Sequence, residues 1–293
     1  MEITRPILTI ILHYGSELYT WNCVESLIDY KLLDILIVDN DPSQNIDIPL
    51  KYLDRIRLLR TGGIAGFAQA NNMGVNFGRK KYHDCILILN NDTFVIGNAL
   101  QEMRFVLTRN DVGAVGPCMP YADEPTKIWA CGGVVKRFRL RVGGIENMHD
   151  VKAYDVDYLP GAAIMCKLHV WDLVAGLPEK YFLAYEEAEF ALRIKAFNYR
   201  IMALPTARIL HHVGMSMDIQ PMYIYNAIRN RIIFSKYLFG RYFGFLYASI
   251  ITIREIFKSK IGFSLWLCAI RDEITGEPLN RSSLQVIKNK YIK

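Results

Sequence analysis

Two carboxylates stand where apolar, strand-like segments end, and both have chemistry suited to a nucleotide or metal site. Asp39 closes the segment 34–39, and Asp92 follows the segment 84–89 with two asparagines between. Magnesium is typically held by one or two carboxylates together with substrate phosphates, so Asp92 could join a cation to a diphosphate. Asp39 could accept hydrogen bonds from a base N–H group or a ribose hydroxyl. Both segments are also good turn sequences, so a structural role stays open for each.

A glycine-rich loop precedes a predicted helix over residues 66–77. The N-terminus of a helix offers free N–H groups and a positive dipole end to an anion. The loop matches neither G-x-G-x-x-G nor G-x-x-x-x-G-K-[ST], which removes the main support for a Rossmann dinucleotide site or a P-loop. A junction that only needs small residues is the alternative.

Three carboxylates open a second predicted helix, which begins near residue 186 and runs to residue 197: Glu186, Glu187 and Glu189. Acidic residues complement the helix dipole, and Glu189 pairs with Arg193 at i,i+4 spacing, so a structural role would explain them. Apolar residues follow Glu187 by three, four and seven positions, which predicts an inward orientation for Glu187. An inward carboxylate needs a partner or a function, and deprotonating a hydroxyl would suit it.

Two further side chains have chemistry that fits a cation or a phosphate. Neutral imidazole at His211 is a good ligand for manganese-like ions, although a lone histidine is more often only hydrogen-bonded or exposed. The guanidinium of Arg229 is suited to phosphate, with a solvated helix face as the alternative.

Strand-like and helix-like segments alternate through the first hundred residues and place these side chains. Uniformly apolar strands between helices indicate a parallel sheet covered on both faces. Ligands bind beyond the carboxyl ends of such strands, which is where Asp39 and Asp92 would lie. Candidate strands follow at 112–115, 132–136, 155–158 and 200–204. We predict an α/β catalytic domain over residues 1–221 and a helical extension over residues 222–293.

The composition excludes several classes of protein. With 52% apolar residues in 293, the chain is neither disordered nor of low complexity. Six cysteines without a C-x-x-C pair indicate buried thiols in a reducing compartment rather than a disulfide framework or a zinc site.

The net positive charge of the chain comes from the predicted extension. Residues 222–293 hold 12 lysines and arginines against 4 acidic residues, and 13 of the 35 aromatic residues. Interleaved basic and aromatic residues are typical of helices that lie on anionic lipid, whereas a helical cap or a homodimer interface is the alternative. The basic residues are embedded in apolar segments, so we expect no nucleic-acid partner.

The location follows from what the sequence does not show. No secretory signal is visible at the N-terminus. The longest charge-free apolar stretch, residues 242–253, has 12 residues, and a membrane span needs about 20. We expect a cytoplasmic protein, peripheral on the inner face of the cell membrane.

Seven short motifs occur in order along residues 5–235. They are V-D-N with a serine at 43 (38–43), G-F-A-x-x-N-N-x-G (66–74), L-N-N-D (89–92), P-G-A-A (160–163), E-E-x-E-x-x-x-R (186–193), H-x-x-G-x-S (211–216) and R-N (229–230). In this order they resemble the inverting glycosyltransferases of family 2, which have the GT-A fold. The bacterial rhamnosyltransferase-like members, which build surface polysaccharide, are the most similar.

The resemblance implies transfer of a sugar from a nucleoside-diphosphate sugar to a hydroxyl of a saccharide acceptor, often lipid-linked. Glu187 would be the base that activates this hydroxyl. Asp92 and His211 would hold a divalent cation, manganese or magnesium. The residues implied for the donor site are Asp39, Asn40, Gly66, Phe67, Asn71, Asn72, Asn91, Asp92 and Arg229.

Two departures from the family pattern keep alternatives open. The D-x-D position reads Asn-Asn-Asp, so Asp92 is its one carboxylate, and the base position, usually aspartate, holds Glu187, with Glu186 as the alternative base. These substitutions leave open an inactive sugar-nucleotide-binding or scaffold protein. A sugar-1-phosphate nucleotidyltransferase would share the sheet and metal chemistry, but its glycine- and lysine-rich signature does not follow the first predicted strand.

Overall fold

A computed structural model describes residues 5–43, 45–63, 65–146, 152–213, 220–256 and 262–276. Its strands are β1 (Ile7–His13), β2 (Leu33–Asp39), β3 (Ile56–Arg60), β4 (Cys85–Asn90), β5 (Thr93–Val95), β6 (Val112–Pro120), β7 (Ile128–Cys131), β8 (Gly133–Lys136), β9 (Arg141–Gly144), β10 (Tyr154–Asp155), β11 (Ala163–Lys167) and β12 (Arg200–His211). Its α-helices are α1 (Glu17–Glu25), α2 (Phe67–Gly78), α3 (Ala99–Leu107), α4 (Leu168–Leu173), α5 (Glu186–Ala196), α6 (Gln220–Phe239), α7 (Arg241–Ile256) and α8 (Gly262–Thr275).

Ten of these strands form one sheet, and four of the seven pairings on its main path are parallel. The main path runs β10-β12-β6-β11-β4-β1-β2-β3, with β5 paired to β12 and β7 paired to β6. Strands β1 to β4 run in one direction, and β6 and β12 share it, whereas β11 and β10 run the opposite way. The predicted, mostly parallel central sheet is confirmed.

Both faces of the sheet carry a hydrophobic core, which explains why its central strands are mostly apolar. On β1, Leu8 and Ile10 belong to the core that α2, α4 and α5 complete. Ile7 and Ile11 belong to the core that α1 and α3 complete. Successive side chains of a strand point to opposite faces, so a strand covered on both sides needs an apolar residue at nearly every position.

The sequence prediction missed two features that shape the site. The segment predicted as a strand over 200–204 continues to His211, past Pro205, because the pairing of β12 with β6 shifts between Leu204 and Arg208. Proline is normally confined to the edges and bulges of strands, so Pro205 favoured an end of the strand at residue 204. The strand continues because Pro205 lies in the bulge. The antiparallel strand β11 was also missed, since a five-residue apolar segment is not distinguishable by periodicity from a short buried helix.

The three C-terminal helices share a small core of their own. Its buried residues include Tyr225 and Ile232 of α6, Ala248 of α7 and Ala269 of α8. Residues 233 and 234 of α6 also join the core that covers one face of the sheet. The predicted boundary after residue 221 therefore falls at the start of a helix that contacts both parts, and the boundary itself stays a prediction.

In the part of the chain that the structure describes, no helix has the length and apolar character needed to cross a membrane. All six cysteines lie in the described part of the chain and none forms a disulfide there; five are buried and Cys268 is partly exposed.

Candidate functional site

The carboxyl ends of parallel strands bring two predicted polar clusters to one edge of the sheet. The last residues of β1 are in register with Asp39 of β2 on one side and Asn90 of β4 on the other. Asn91 and Asp92 follow Asn90 directly. Neighbouring strands are about 4.8 Å apart, so β2 and β4 are separated by about 10 Å, a distance that a nucleoside diphosphate can span.

The Asp39 carboxylate is fixed in the turn that follows β2. Only 2% of its surface is exposed. Oδ1 accepts the N–H of Asp41 and Oδ2 accepts the N–H of Ile46, each at 3.2 Å. Arg60 Nε lies 3.8 Å from Oδ2. The carboxylate is thus held in one orientation at the strand end, as a contact to a nucleoside requires.

The neighbouring Asn40 joins this turn to the loop before α2. Its Nδ2 donates to the carbonyl oxygen of Ala65 at 2.9 Å, and Thr61 Oγ1 donates to its Oδ1 at 2.5 Å. Asp41 belongs to the same polar turn but was assigned no role from the sequence, and its Oδ2 accepts the N–H of Gly15 at 2.7 Å. Both side chains shape the sheet edge at the end of β2 through protein contacts, and the D-N-D-P-S turn pattern was the available signal for Asp41.

The glycine-rich loop packs closely on two other segments. A Cβ on Gly63, whose φ is +74°, would lie 2.5 Å from the Cα of Pro42. A Cβ on Gly66 would lie 2.9 Å from the carbonyl oxygen of Phe182, and the N–H of Phe67 donates to that oxygen at 3.0 Å. The first amide of α2 therefore serves a protein carbonyl rather than an anion.

The two asparagines of α2 differ in what they leave for a ligand. Asn72 Nδ2 donates to the carbonyl oxygen of Leu177 and to Glu179 Oε1, and its Oδ1 accepts the N–H of Leu177. Asn71 Nδ2 donates to the carbonyl oxygen of Phe67, whereas its buried Oδ1 has no hydrogen-bond partner. Asn72 thus fastens α2 to the segment after α4, and Asn71 alone offers an atom to a ligand.

Asp92 and His211 meet although 118 residues separate them in the chain. The pairing of β5 with β12 sets Thr93 opposite His211 and brings the histidine beside Asp92. His211 Nε2 lies 3.3 Å from Asp92 Oδ1, and both side chains are buried. The ring of Trp129 packs edge-on against the imidazole at a centroid distance of 4.4 Å.

This pair fits a shared divalent cation. Asp92 Oδ1 is buried without a hydrogen-bond partner, and it is the oxygen that lies 3.3 Å from His211 Nε2. Two ligands about 2.1 Å from one octahedral ion lie about 3 Å apart, close to the separation observed. The described residues contain no group of three or more His, Cys, Asp or Glu side chains that could hold a metal. Phosphate oxygens and water would have to complete the coordination, as magnesium commonly allows.

Asn91, the other strand-end candidate, has a structural contact. Its Nδ2 donates to Thr20 Oγ1 at 2.9 Å and to the carbonyl oxygen of Tyr14 at 3.2 Å. Asn91 therefore connects the end of β4 to α1 and to the segment that precedes α1.

A left-handed turn sets the start of α5. Ala184 and Tyr185 have φ values of +72° and +77°, which residues with a Cβ rarely adopt. Each such residue costs of order 1–3 kcal/mol and persists where the surroundings impose it. Glu186 and Glu187 are the next two residues, so this turn fixes the position of both at the start of α5.

The pKa values of the two carboxyls are displaced upward. Burial, and then the charge of Glu187, raise the pKa of Glu186 well above its ordinary value. Burial raises the pKa of Glu187 to about 7. One oxygen of each carboxyl is buried without a hydrogen-bond partner, yet the Glu187 side chain as a whole stays partly exposed. With its own pKa near neutral pH and that of the adjacent Glu186 raised as well, Glu187 is suited to accept a proton from a ligand.

The expectation that Glu187 is the most inward of the three carboxylates of α5 was wrong. Glu186 and Glu189 are the deeply buried ones, at 2% and 0% exposure. The periodicity argument assumes one buried helix face, whereas α5 is covered by the sheet core and also contacted near its start by α6. The predicted pair of Glu189 with Arg193 is confirmed at 2.6 Å, and Lys180 lies 2.8 Å from the same carboxylate.

Helix α6 holds the left-handed turn in place, which the sequence did not reveal. Asn230 Nδ2 donates to the carbonyl oxygens of Leu183 at 2.6 Å and Ala184 at 2.8 Å. Arg231 Nε donates to the hydroxyl of Tyr185 at 3.1 Å. That hydroxyl in turn donates to a carbonyl oxygen, that of residue 140, at 2.8 Å. Asn230 is the second residue of the R-N motif, but the motif does not indicate which groups its amide contacts.

Arg229 contacts the C-terminal helices instead of the strand ends. Its Nη1 donates to the carbonyl oxygen of Lys180 at 3.2 Å, and its Nη2 lies 3.9 Å from Glu273 of α8. It lines a cavity between α6 and α8. We therefore leave Arg229, Asn72 and Asn91 out of the proposed ligand contacts.

Of the H-x-x-G-x-S motif, residues 214–216 lie outside the described residues.

Known proteins match this chain in sequence and in fold. The family model "Glycosyl transferase family 2" matches residues 9–173. The low-salt glycan biosynthesis hexosyltransferase Agl10 of Haloferax volcanii is 22% identical, over 87% of this chain and 86% of that protein. The N-acetylglucosaminyl-diphospho-decaprenol L-rhamnosyltransferase of Mycobacterium tuberculosis is 21% identical, over 75% of this chain and 80% of that protein.

A solved structure of mannosyltransferase PcManGT from Pyrobaculum calidifontis, in complex with GDP-Man and Mn²⁺, superposes with a TM-score of 0.57. It is 12% identical and covers 94% of this chain and 89% of its own. The fold is GT-A, as the motifs implied. The family resemblance is confirmed, and the nucleotidyltransferase alternative is not.

The hold of Asn230 on the turn can be tested with an isosteric substitution. In Asn230→Asp the side chain loses both N–H donors and faces two carbonyl oxygens, so the turn should relax and misplace Glu187. We expect a loss of about 1–3 kcal/mol in the free energy of unfolding. We also expect kcat to fall by about tenfold or more while the KM for the donor stays unchanged, measured by steady-state kinetics. Exposed Asn110→Asp is the matched control, and full kcat in Asn230→Asp would refute the positioning role.

Proposed function

The chain belongs to glycosyl transferase family 2, and on that premise we propose that it moves a hexosyl or rhamnosyl group from a nucleoside-diphosphate sugar to a hydroxyl of a lipid-linked saccharide, with inversion. The product would be an intermediate of a surface polysaccharide. The observation that carries the proposal is the partly exposed Glu187 carboxyl, whose pKa of about 7 and unpartnered oxygen fit a base that meets an acceptor.

The substrate classes are supported by the names of the relatives. One relative is named as a hexosyltransferase of glycan biosynthesis, and another as a rhamnosyltransferase acting on an N-acetylglucosaminyl-diphospho-decaprenol. Identities near 20% support the class of donor and acceptor and leave the individual sugar open.

The proposed reaction is a single in-line displacement at the anomeric carbon. The acceptor hydroxyl oxygen forms the new bond to that carbon as the bond to the nucleoside diphosphate breaks, and the hydroxyl proton passes to Glu187. Glycosyl transition states resemble an oxocarbenium ion, so stabilising the leaving diphosphate matters as much as the base. Burial raises the pKa of Glu186, and a protonated Glu186 would lower the cost of ionising Glu187 beside it, because two adjacent carboxylates do not readily ionise together.

The donor would lie along the strand ends. Asp39 would contact the nucleoside, and Asn71 Oδ1 offers an acceptor near the loop of Gly66 and Phe67. Asp92 and His211 would hold a divalent cation, which supplies positive charge to the departing diphosphate. Two protein ligands leave room for phosphate oxygens, which fits the Asn-Asn-Asp sequence at this position.

A donor panel tests this proposal and identifies the nucleotide. Hydrolysis of UDP-, GDP- and dTDP-sugars should occur with one nucleotide class and should rise when manganese is added. Asp92→Asn keeps the shape of the side chain but removes its charge, so turnover should fall by about a hundredfold or more, measured as nucleoside diphosphate released.

The matched control is Asp123→Asn, an exposed carboxylate near His212, which should turn over normally. No hydrolysis of any donor by the wild-type protein would favour the inactive sugar-nucleotide-binding alternative. Normal turnover in Asp92→Asn would remove Asp92 from the cation site.

We also propose that the C-terminal helices lie on the anionic inner face of the cell membrane, which makes the protein peripheral and cytoplasmic. Four apolar residues of α7 share one exposed stripe, with exposures from 46% to 85%: Tyr242, Phe243, Leu246 and Ile250. A monomer seldom exposes so continuous an apolar strip without a partner.

A basic residue beside this stripe favours lipid over a second protein chain. Arg241 directly precedes Tyr242 in the chain and lines a cavity of about 430 Å³ together with Lys180 and Lys236, which are ion-paired with Glu189 and Glu273. A cation next to an apolar strip matches an anionic headgroup next to acyl chains, and it adds about 1 kcal/mol of attraction near such a surface.

Vesicle sedimentation tests the membrane proposal. The full chain should bind phosphatidylglycerol vesicles at low salt and ignore phosphatidylcholine vesicles. The double change Phe243→Ser with Leu246→Ser removes about 3 kcal/mol or more of apolar burial, so binding should weaken by more than about tenfold. Phe105→Ser on α3, where Phe105 is 73% exposed, is the matched control. If the wild type ignores anionic vesicles at low salt, the proposal fails, and a dimer that the double change dissociates would assign the stripe to a homodimer.

A further inference from the structure

A cavity of about 250 Å³ lies directly against the turn that precedes Glu187. Ala184 and Tyr185 form part of its wall, Arg141 of β9 lies on another side, and Asn226 and Arg231 of α6 complete it. Ligand pockets usually measure about 300–1,000 Å³, so this space suits one group of a larger ligand.

Asn226 is a buried amide with nothing to bond to. It is 2% exposed, and neither Nδ2 nor Oδ1 has a hydrogen-bond partner. Buried polar atoms are nearly always paired, and leaving one unpaired costs about 1–3 kcal/mol. Two unpaired atoms on one side chain in a cavity wall indicate that a ligand provides the partners.

The side chains of the cavity wall are suited to an anion. Two guanidiniums, from Arg141 and Arg231, are in its wall, and the described residues that line it include no aspartate or glutamate. Guanidinium is suited to the planar oxygen pairs of carboxylate and to phosphate. The Asn226 amide adds one N–H donor for an anionic oxygen and one acceptor for a hydroxyl.

The position of the cavity assigns it to the acceptor. The turn of Ala184 and Tyr185 separates it from Glu187 by one residue, whereas the donor residues Asp39 and Asp92 lie at the strand ends. An acceptor whose hydroxyl reaches Glu187 would bring its adjoining group to this wall.

We propose that this cavity is an acceptor subsite for an anionic group next to the reacting sugar, either a phosphate of a diphosphate linkage or a sugar carboxylate. The inference rests on the proposed function, because an acceptor is assumed. Its content is independent of that function: the chain binds a small anion at Arg141, Asn226 and Arg231. The C-terminal α6 thereby has two roles, since Asn230 holds the turn and its neighbours bind what the turn presents.

Isothermal titration of the full chain with inorganic pyrophosphate, inorganic phosphate, glucuronate and glucose tests the subsite. EDTA keeps divalent cations away from the donor site, and low salt preserves the charge contribution. We expect one anion to bind and glucose not to bind. In Asn226→Asp an isosteric carboxylate faces the anion, and in Arg141→Gln one guanidinium is lost, so each should weaken binding by about tenfold or more.

Two features keep the test decisive. Arg141 is exposed, so Arg141→Gln should fold even if Asn226→Asp does not, and exposed Arg139→Gln, which changes a neighbouring arginine outside the cavity wall, is the matched control. Tighter binding of pyrophosphate assigns the subsite to a diphosphate linkage, and tighter binding of glucuronate assigns it to an acidic sugar. Either result supports the proposal.

Three outcomes would overturn it: no anion binds, glucose binds as well as the anions, or binding survives both cavity variants. Anion binding that is lost in Asp92→Asn but kept in Arg141→Gln would likewise place the anion at the donor site. Donor hydrolysis by the same preparations reports on the proposed function separately, so a chain that binds the anion but turns over no donor refutes the function and leaves the subsite in place.

Discussion

The left-handed backbone at Ala184 and Tyr185 is the constraint on which the catalytic side of this molecule depends. Side chains with a Cβ avoid that conformation, so neighbouring groups have to impose it. Asn230 bonds two carbonyl oxygens of the turn, and the hydroxyl of Tyr185 lies between Arg231 and the carbonyl oxygen of Leu140. If Glu187 is the base that we propose, the C-terminal helices take part in catalysis, because one of them fixes where α5 begins.

The carboxyl pair that follows the turn makes function and stability oppose each other. An acid whose pKa is higher in the folded chain than in the unfolded chain favours folding only while it is protonated. For Glu187 that contribution is complete below about pH 4.5 and is lost as the pH rises to about 7. The folded state thus tolerates an ionised Glu187 at the pH where a base is needed, a common compromise at active sites.

How much of this could be predicted differs between the two sides of the site. The proposed donor side follows from local pattern: strands β1, β2 and β4 are mostly apolar and end in polar residues, so Asp39 and Asp92 had to lie at one sheet edge. The approach of His211 to Asp92 needed a strand that continues past Pro205 through a bulge, and no periodicity signals a bulge. The roles of Asn226 and Asn230 were not predictable, because they arise from contacts between α6 and a turn more than 40 residues away in sequence. The prediction that Glu187 points inward failed for a similar reason, because the periodicity rule assumes one buried face and α5 is buried on two.

The pH dependence of sugar transfer by wild type and Glu187→Gln tests the central claim most directly, with the donor and acceptor that support turnover. For the wild type the account predicts a rate that rises about tenfold from pH 6 to a plateau above pH 8, as expected for a base with a pKa of about 7. Glu187→Gln should bind donor normally and transfer about 10²–10⁴-fold more slowly, without that rise. Near-normal transfer by Glu187→Gln, or a wild-type rate that does not change with pH over this range, would contradict the account.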